Sequence, residues 1–444
     1  MRGKYTLATA FVAAALTVPL ALSAEATPTG RSQQPVPHLL ARQVLPAGDG
    51  WGSASSGTTG GAAESRHDIV TVDTRAELVA AVAGNQPKII LVRGRIDANT
   101  DDRGRRLSCT DYARDGYTLA GYLAAYDPAT WGWDDEPRGP LEDARRASAA
   151  VQSAQINVPI GSNTTVIGLP GARITGANLR INNASNVIIR GLTLTDAGDC
   201  FPEWDPTDGE TGNWNSAYDL ISLTGATNVW VDHNDLSDGA NRDSAQPVYF
   251  GRPYQVHDGA LDITNASDLV TVSYNRFHDH DKTMLIGSSD SRTTDRGKLR
   301  VTIHHNQFRD LGQRVPRVRF GQVDVYNNHY IETTRGDDYE YVYSWGVGVE
   351  SHIVAERNHL TLSRSIDRST VIGRYNGTSL TENRNLVNGG RVDLLAVYNA
   401  AHDPDLAEVP AWAPMLRRTM QPAVAVPAVV WAHAGPDRLW RQRR

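Results

Sequence analysis

Three aspartates with the spacing of a metal site stand near the middle of the chain. Asp258 and Asp262 lie four residues apart across Gly259, and Asp219 comes just before an earlier apolar strand. If these strands stack as parallel neighbours about 4.8 Å apart, the three carboxylates converge. Grouped carboxylates repel one another unless a cation neutralises them, and Ca²⁺ is the hard cation that suits oxygen ligands. Each aspartate taken alone could be a solvated turn residue, but the apolar frame around Asp219 and Asp262 favours a site.

Cationic side chains form a second candidate group. Arg314, Arg317 and Arg319 fall within six residues and alternate with apolar residues around Pro316. This pattern predicts guanidinium groups on one strand face, where their forked donors match carboxylates; an exposed basic strand edge is the alternative. Lys282 precedes a further apolar strand and can point toward the same groove. A cation pocket beside a row of positive charges is suited to gripping a polyanion.

The elements that must position these residues repeat along the second half of the chain. Short β-branched runs each lead to an asparagine, followed two places later by an apolar residue. The aligned asparagines are Asn234, Asn275, Asn306, Asn328 and Asn358. Their spacings vary from 22 to 41 residues, which indicates solenoid coils with loop insertions. Asparagine tolerates left-handed backbone at a tight turn, and stacked asparagines can bond to one another. A β-sandwich would need strands every 8 to 12 residues or so, a spacing this region lacks. The pattern therefore predicts an all-β, right-handed parallel β-helix with short capping helices and long loops.

Helical signals occur before the repeats. Thr74 and Glu77 form a capping box, which predicts a helix to about Val82 that closes the N-terminal end of the solenoid. The segment 88–96 reads as one strand, and a second helix is predicted from Leu141 to about Gln155.

The two ends of the chain differ from the middle in composition. Residues 1–26 have the charged start, apolar stretch and Ala24-Glu-Ala26 site of a secretory signal peptide; the apolar stretch is short for a membrane span. Residues 27–62 are rich in Pro, Gly, Ser and Thr and are predicted to be a flexible linker. The β-helix domain is then expected over 63–400. The tail, 401–444, could either pack on the solenoid or extend from it.

Charge and cysteine content narrow the range of partners. The formal net charge is −6, which gives no basic excess for binding nucleic acid. Cys109 and Cys200 are the two cysteines. They could form a disulfide in an oxidising compartment or remain as two buried thiols. We expect a secreted, extracellular monomer that has no membrane contact once the signal is removed.

Several segments together resemble the pectate lyases of polysaccharide lyase family 1. The matching stretches are Trp204-Asp-Pro-Thr-Asp-Gly209, Trp214-Asn-Ser-Ala-Tyr-Asp219, Val229-Trp-Val-Asp-His233, Tyr249-Phe-Gly-Arg-Pro253, His257-Asp-Gly-Ala-Leu-Asp262 and Arg314-Val-Pro-Arg-Val-Arg-Phe-Gly-Gln322. They span roughly residues 67–375, and the family fold is the parallel β-helix. The resemblance implies calcium-dependent β-elimination of polygalacturonate, an acidic plant cell-wall polysaccharide, to 4,5-unsaturated oligogalacturonides.

The resemblance also assigns roles to individual residues. It implies that Asp219, Asp258 and Asp262 bind the primary Ca²⁺, that Arg314 is the proton-abstracting base, and that Lys282 and Arg319 bind substrate carboxylates. Arg317, in the same basic segment, is assigned to substrate binding with them. Asp208 is predicted to help bind further calcium ions. Ala217 stands where some family members place another acidic ligand, which predicts weaker calcium binding in the absence of substrate.

Other activities on the same fold fit the sequence less well. A polygalacturonase needs paired carboxylates as acid and base, and its Gly-His-Gly and Arg-Ile-Lys motifs do not occur. A pectin lyase, which acts on uncharged methylated pectin, would leave the acidic trio and Lys282 without a purpose. A non-catalytic polysaccharide-binding β-helix remains the alternative outside enzymes.

Overall fold

Three sheets wind along one axis; their strands are parallel except for the last pair of one sheet, and most turns of the chain add one strand to each sheet. The computed structural model describes residues 36–63, 69–333, 339–408 and 412–441. The groove sheet comprises Asn157–Pro159, Asn178–Asn182, Ile221–Thr224, Leu261–Thr264, Leu285–Ile286, Arg317–Val318, Trp345–Gly348 and Ile372–Tyr375. The back sheet comprises Ile69–Val72, Lys88–Val92, Thr164–Gly168, Ser185–Arg190, Thr227–Asp232, Asp268–Ser273, Val301–His304, Gln322–Tyr326, His352–Glu356 and Thr381–Asn383. The side sheet comprises Arg95–Asp97, Arg173–Thr175, Thr193–Thr195, Asp235–Ser237, Arg276–Lys282, Gln307–Gln313, His329–Glu332, His359–Leu362, Leu386–Val387 and Gly390–Arg391. The predicted parallel β-helix is confirmed.

Helices lie at the ends and along one flank of the solenoid. The α-helices are Val36–Ala41, Arg75–Val82, Cys109–Tyr112, Leu119–Ala125, Pro128–Trp131, Pro140–Ile156, Leu394–Ala401, Val426–His433 and Pro436–Leu439. Short 3₁₀ helices occur at Trp51–Ser53, Asp243–Ala245, Thr293–Asp295, Arg368–Val371 and Ala423–Ala425. The predicted helices begin and end within one residue of the observed Arg75–Val82 and Pro140–Ile156. The predicted strand 88–96 is instead two strands, because Gly94 turns the chain at a φ of +69°.

The core of the solenoid is a continuous column of aliphatic and aromatic side chains. At its N-terminal end, Leu78 and Val82 of the helix Arg75–Val82 are fully buried in this column. At the other end, Leu394, Leu395 and Tyr398 of Leu394–Ala401 close it in the same way. The helices thus cover apolar coils that water would otherwise reach, as expected for a solenoid.

The predicted asparagine ladder is present and extends by one residue to Asn385. Asn306 shows the pattern: its Oδ1 accepts the Asn275 backbone N–H at 2.9 Å, and its own N–H donates to Asn328 Oδ1 at 3.0 Å. The backbone expectation was wrong in one respect. The left-handed residue is the one before each asparagine, such as His305 with φ +55°. Asparagine is needed at the next position because its buried amide joins neighbouring coils.

The N-terminal segment packs on the back sheet. The flexible linker predicted for 27–62 is therefore wrong for residues 39–62. Gly61 donates its N–H to Thr165 Oγ1 at 3.0 Å, and a Cβ added to it would lie 2.0 Å from the Lys88 carbonyl oxygen. Gly50 donates to the Leu416 carbonyl oxygen at 2.8 Å. The small residues in this segment thus allow close packing. The predicted signal peptide, residues 1–26, lies outside the described residues.

The C-terminal segment packs beside it. Arg417 binds Asp324 and Glu356, and the Gly435 N–H donates to the Tyr274 carbonyl oxygen at 2.8 Å. In residues 412–441, therefore, the tail lies on the solenoid. Over the described ranges, no helix is long and apolar enough to cross a bilayer.

A second, aromatic core lies beside the groove sheet. It contains Trp204 and Trp214, both fully buried, which belong to a hairpin formed by Glu203–Asp205 and Asn213–Asn215. A disulfide joins Cys109 to Cys200 and ties the helical flank to the start of this hairpin segment. The sequence alone left the state of the two cysteines open.

Candidate active site

The three predicted aspartates meet near the N-terminal ends of two central strands of the groove sheet, Ile221–Thr224 and Leu261–Thr264. Asp219, Asp258 and Asp262 each offer a carboxylate oxygen within 4.8 Å of the others. The backbone brings the loops together, since the Asp258 N–H donates to the Tyr218 carbonyl oxygen at 3.2 Å. Gly259 is required between them, because an added Cβ would lie 2.5 Å from Asp262 Oδ1 and 2.7 Å from Asp219 Oδ1.

The trio (Asp219, Asp258 and Asp262) is only partly satisfied by hydrogen bonds. Gly259 N–H and the Ser222 hydroxyl donate to the two oxygens of Asp219, at 2.8 Å and 2.5 Å, and Leu285 N–H donates to Asp262 Oδ1 at 2.9 Å. Burial, followed by the charge of Asp258, raises the pKa of Asp219 to about 7. Burial and the charges of Asp219 and Asp258 raise the pKa of Asp262 well above its usual value. Buried carboxylates in mutual repulsion are the arrangement that a bound cation relieves.

Two cations face this trio. The Lys282 ammonium lies 3.6 Å from Asp258 Oδ1, and its side chain is 9% exposed. Arg314 is half-buried in the turn before the strand Arg317–Val318, and its Nε is buried without a hydrogen-bond partner among the described residues. Burial lowers the pKa of Arg314, but the charges of Asp258 and Asp262 outweigh it and hold that pKa above its usual value. The positive charge of Arg314 therefore interacts with the carboxylates of Asp258 and Asp262.

The other predicted arginines follow on the groove sheet. Arg317 stacks over the Tyr375 ring at 3.9 Å from its centroid, and burial lowers the pKa of this arginine. Arg319 forms an ion pair with Asp290 and donates to the Gly287 carbonyl oxygen at 2.9 Å. The expectation that all three guanidinium groups lie on one strand face was wrong, because only Arg317 belongs to the strand: Arg314 lies before it and Arg319 directly after its last residue.

Asp208 is not brought into the trio. It is exposed in the turn that joins the strands Glu203–Asp205 and Asn213–Asn215. Its role in binding further calcium stays a prediction.

Sequence reasoning missed a buried network of histidines and aspartates next to Asp258. The His257 ring lies between Asp243 and Asp196, with Nδ1 and Nε2 each 3.1 Å from a carboxylate oxygen. Asp238 contacts both the His280 ring and the Tyr339 hydroxyl. Burial lowers the pKa of His257, yet Asp238, Asp196 and Asp243 raise it to about 10. Protonated imidazoles thus neutralise these acids, although Asp238, Asp243 and His257 are close enough to hold a metal. The signal in the sequence was the position of His257, directly before Asp258.

Asp199 was also missed, and it joins the two loops that carry the trio. Its N–H donates to the Val256 carbonyl oxygen at 2.7 Å, and its Oδ2 accepts the Ala217 N–H at 3.1 Å. Val256 and Ala217 each lie two residues before a trio aspartate. The side-chain amide of Gln152 binds the backbone on both sides of Asp199. It donates to the Gly198 carbonyl oxygen at 2.8 Å and accepts the Cys200 N–H at 2.9 Å. No motif in the sequence indicates this bridge.

The nearby His278 makes part of the stability depend on pH. Its ring lies between Asp279 at 2.7 Å and Asp235 at 3.1 Å, with Arg242 and Arg276 beyond these carboxylates. Burial lowers the pKa of His278, but the two aspartates raise it to about 9. An unfolded histidine titrates near 6.5. The stabilisation is therefore full below about pH 6.5 and is lost as the pH rises to about 9.

We expect His278→Gln to lower the thermal unfolding midpoint most at about pH 6, and progressively less toward about pH 9.5. Calorimetry of both proteins across this range checks the prediction. Parallel curves, with a constant difference between the proteins, would show that the imidazolium contributes nothing.

The trio opens into a groove of about 590 Å³ along the groove sheet. Asp219, Asp258 and Asp262 line it, together with Arg146 and Arg180. The groove combines a buried acidic pocket with positive charges, as recognition of an acidic chain requires.

Comparison with known proteins agrees with this geometry. A family model described as pectate lyase matches residues 7–119 and 140–427. A pectate lyase of Bacillus subtilis strain 168 is 42% identical over 417 residues, which cover 93% of this chain and 96% of that protein. Pectate lyase D of Dickeya chrysanthemi is 36% identical over 373 residues, covering 81% of this chain and 83% of that one.

Solved structures give the same result. A pectate lyase bound to a hexasaccharide has a TM-score of 0.86 and 42% identity, covering 90% of this chain and 99% of that one. The thermostable pectate lyase PL 47 has a TM-score of 0.87 and 44% identity over the same shares. With both the sequence and the fold matched over nearly the whole length, this chain belongs to the pectate lyase family and is a polysaccharide lyase.

Proposed function

We propose that the protein is a secreted, monomeric enzyme that cleaves α-1,4-linked polygalacturonate by calcium-dependent β-elimination, giving 4,5-unsaturated oligogalacturonides. The observation that carries the proposal is that Asp219, Asp258 and Asp262, which line the groove, interact with Arg314 and Lys282. Support also comes from a relative that was solved with a bound hexasaccharide.

The trio fits calcium. Its donors are all oxygen, Asp219 and Asp262 are buried, and burial together with mutual repulsion raises the pKa of these two aspartates. Ca²⁺ bound there would draw charge from a substrate carboxylate and make the neighbouring C5 proton more acidic. Asp208, exposed at the turn of its hairpin, is our candidate for a further calcium.

The cationic residues of the site then have separate roles in binding and catalysis. Arg319 and Arg317 hold substrate carboxylates, and Lys282 stabilises negative charge as it develops at C5. Arg314 accepts the C5 proton, and the bond to the C4 oxygen breaks. Solvent protonates the leaving oxygen, since none of the site residues described above offers a general acid.

A guanidinium base implies an alkaline pH optimum. A free guanidinium has a pKa above about 12, and the trio carboxylates raise that of Arg314 further. Once the trio is neutralised, Lys282 and Arg319 are left as positive neighbours, which disfavour a charged Arg314. The neutral fraction of Arg314 still grows with pH, so the cleavage rate should rise into the alkaline range. A bell-shaped pH–rate profile centred near pH 6 would contradict the assignment of Arg314 as the base.

The test is ultraviolet absorbance of polygalacturonate incubated with the protein, with added calcium and with a chelator. A rise that the chelator abolishes means unsaturated ends made by calcium-dependent elimination. Reducing ends without absorbance would mean hydrolysis, and no cleavage would leave a binding protein.

Asp199 should act on this site as a positioning residue. We expect Asp199→Ala to weaken calcium binding roughly tenfold, because the two loops lose their shared anchor. Titration calorimetry of the folded variant measures this directly.

Asp295→Ala is the matched control, because Asp295 is also buried and accepts a backbone N–H, from Ala266 at 2.7 Å. A purely structural role for Asp199 would lower the unfolding midpoint of both variants and leave the calcium affinity of both unchanged.

A further inference from the structure

An arginine without a partner lies in the groove, on the side of the trio away from Arg317. Arg180 belongs to the strand Asn178–Asn182 and lines the groove. Within the described ranges, its guanidinium has no hydrogen bond or ion pair. Two other arginines at this site differ: Arg145 is held by Glu142, and Arg319 by Asp290.

The strand register puts Arg180 in the same row as the trio. Arg180 pairs with Ser222, and Ser222 pairs with Asp262. Arg180 therefore lies two strands, about 10 Å, from Asp262. Arg317 is two strands from Asp262 in the opposite direction, since it pairs with Leu285. An extended chain lying across the strands would meet a cation at both ends of this row.

A second cation reaches the same end of the groove from the helix Pro140–Ile156. The Arg146 side chain is 58% exposed and contacts Glu142 at 2.8 Å. Glu142 already receives two hydrogen bonds from Arg145. Only the Nε of Arg146 makes this contact, so among the residues that the structure describes its two terminal amino groups have no partner and can bind a ligand.

We propose that Arg180, assisted by Arg146, binds a carboxylate of an acidic sugar unit two strands from the trio. The inference rests on the proposed function and extends it, because it adds a subsite that selects a free uronate. A methyl-esterified unit has no charge to pair with the guanidinium and would be disfavoured there. Enough units must be present to reach this end, so the subsite also favours long chains over short ones.

The test compares Arg180→Gln with the wild type on polygalacturonate, trigalacturonate and a highly methyl-esterified pectin. Losing one charge-assisted contact should raise the KM for polygalacturonate roughly tenfold. The effect on trigalacturonate should be smaller, and the preference for unesterified over esterified chains should narrow. Arg180→Lys should fall between the two proteins, because it keeps the charge but not the fork.

Arg173→Gln is the matched control, since it removes an exposed strand arginine from the side sheet. If Arg180→Gln changes KM no more than this control, the subsite is wrong while the proposed function stands. If the wild type produces no rise in ultraviolet absorbance with polygalacturonate, the proposed function is wrong and the subsite is wrong with it.

Discussion

Replacing Arg314 by lysine should lower the rate of polygalacturonate cleavage by about 10³-fold, within the range measured for loss of a general base. Lysine keeps the positive charge that faces Asp258 and Asp262 but cannot place its amine where the guanidinium nitrogens lie. A group that supplied only charge would be replaced well by lysine. A group that must touch the C5 proton would not be.

The measurement is the steady-state rise in ultraviolet absorbance at saturating substrate and calcium. KM and calcium affinity should change little, since Lys282 and the trio are intact. Arg309→Lys, at an exposed strand position, is the control and should match the wild type. A kcat for Arg314→Lys within tenfold of the wild type would remove Arg314 from the role of base.

The part of the site that could be predicted from sequence is the part carried by strand register. Asp262 lies within a strand and Asp219 just before another, and the ladder asparagines fix how those strands stack. Parallel register at a constant spacing then forces the convergence. The same logic placed Arg317 and Arg319 beside each other at the groove sheet, where Arg317 begins a strand and Arg319 directly follows it.

The rest depends on loops and side chains, for which no periodic rule exists. Asp199 joins the two trio loops through contacts 18 and 57 residues away in sequence, with Ala217 and Val256. Gly61 belongs to a segment whose composition is typical of a linker. A glycine is nevertheless required there, because the Lys88 carbonyl oxygen lies too close for a Cβ atom. Asp208 belongs to a conspicuous motif, but its hairpin rests on the aromatic core. Composition and spacing do not encode such contacts.

Calcium should bind the folded protein even without substrate. Asp258→Asn should weaken that binding with the least disturbance of the surrounding structure. The Asp258 side chain is the trio member that reaches solvent, at 32% exposure, and its ion-pair partner is Lys282. Asparagine keeps its shape and removes one charge. Because calcium affinity follows the charge of the ligand set, we expect roughly a 100-fold rise in Kd.

Thermal unfolding gives a readout that does not depend on activity. Calcium at 100 times Kd should stabilise the wild type by about 2.7 kcal/mol, because it binds the folded state alone. The same concentration should barely shift Asp258→Asn, whereas Asp102→Asn, an exposed control, should respond like the wild type. The trio would not be the calcium site if calcium raised the midpoints of wild type and Asp258→Asn equally. Removing calcium with a chelator should abolish cleavage and lower the wild-type unfolding midpoint at the same time. Both effects have one origin, because the trio carboxylates that repel one another without a cation also face Arg314 and Lys282.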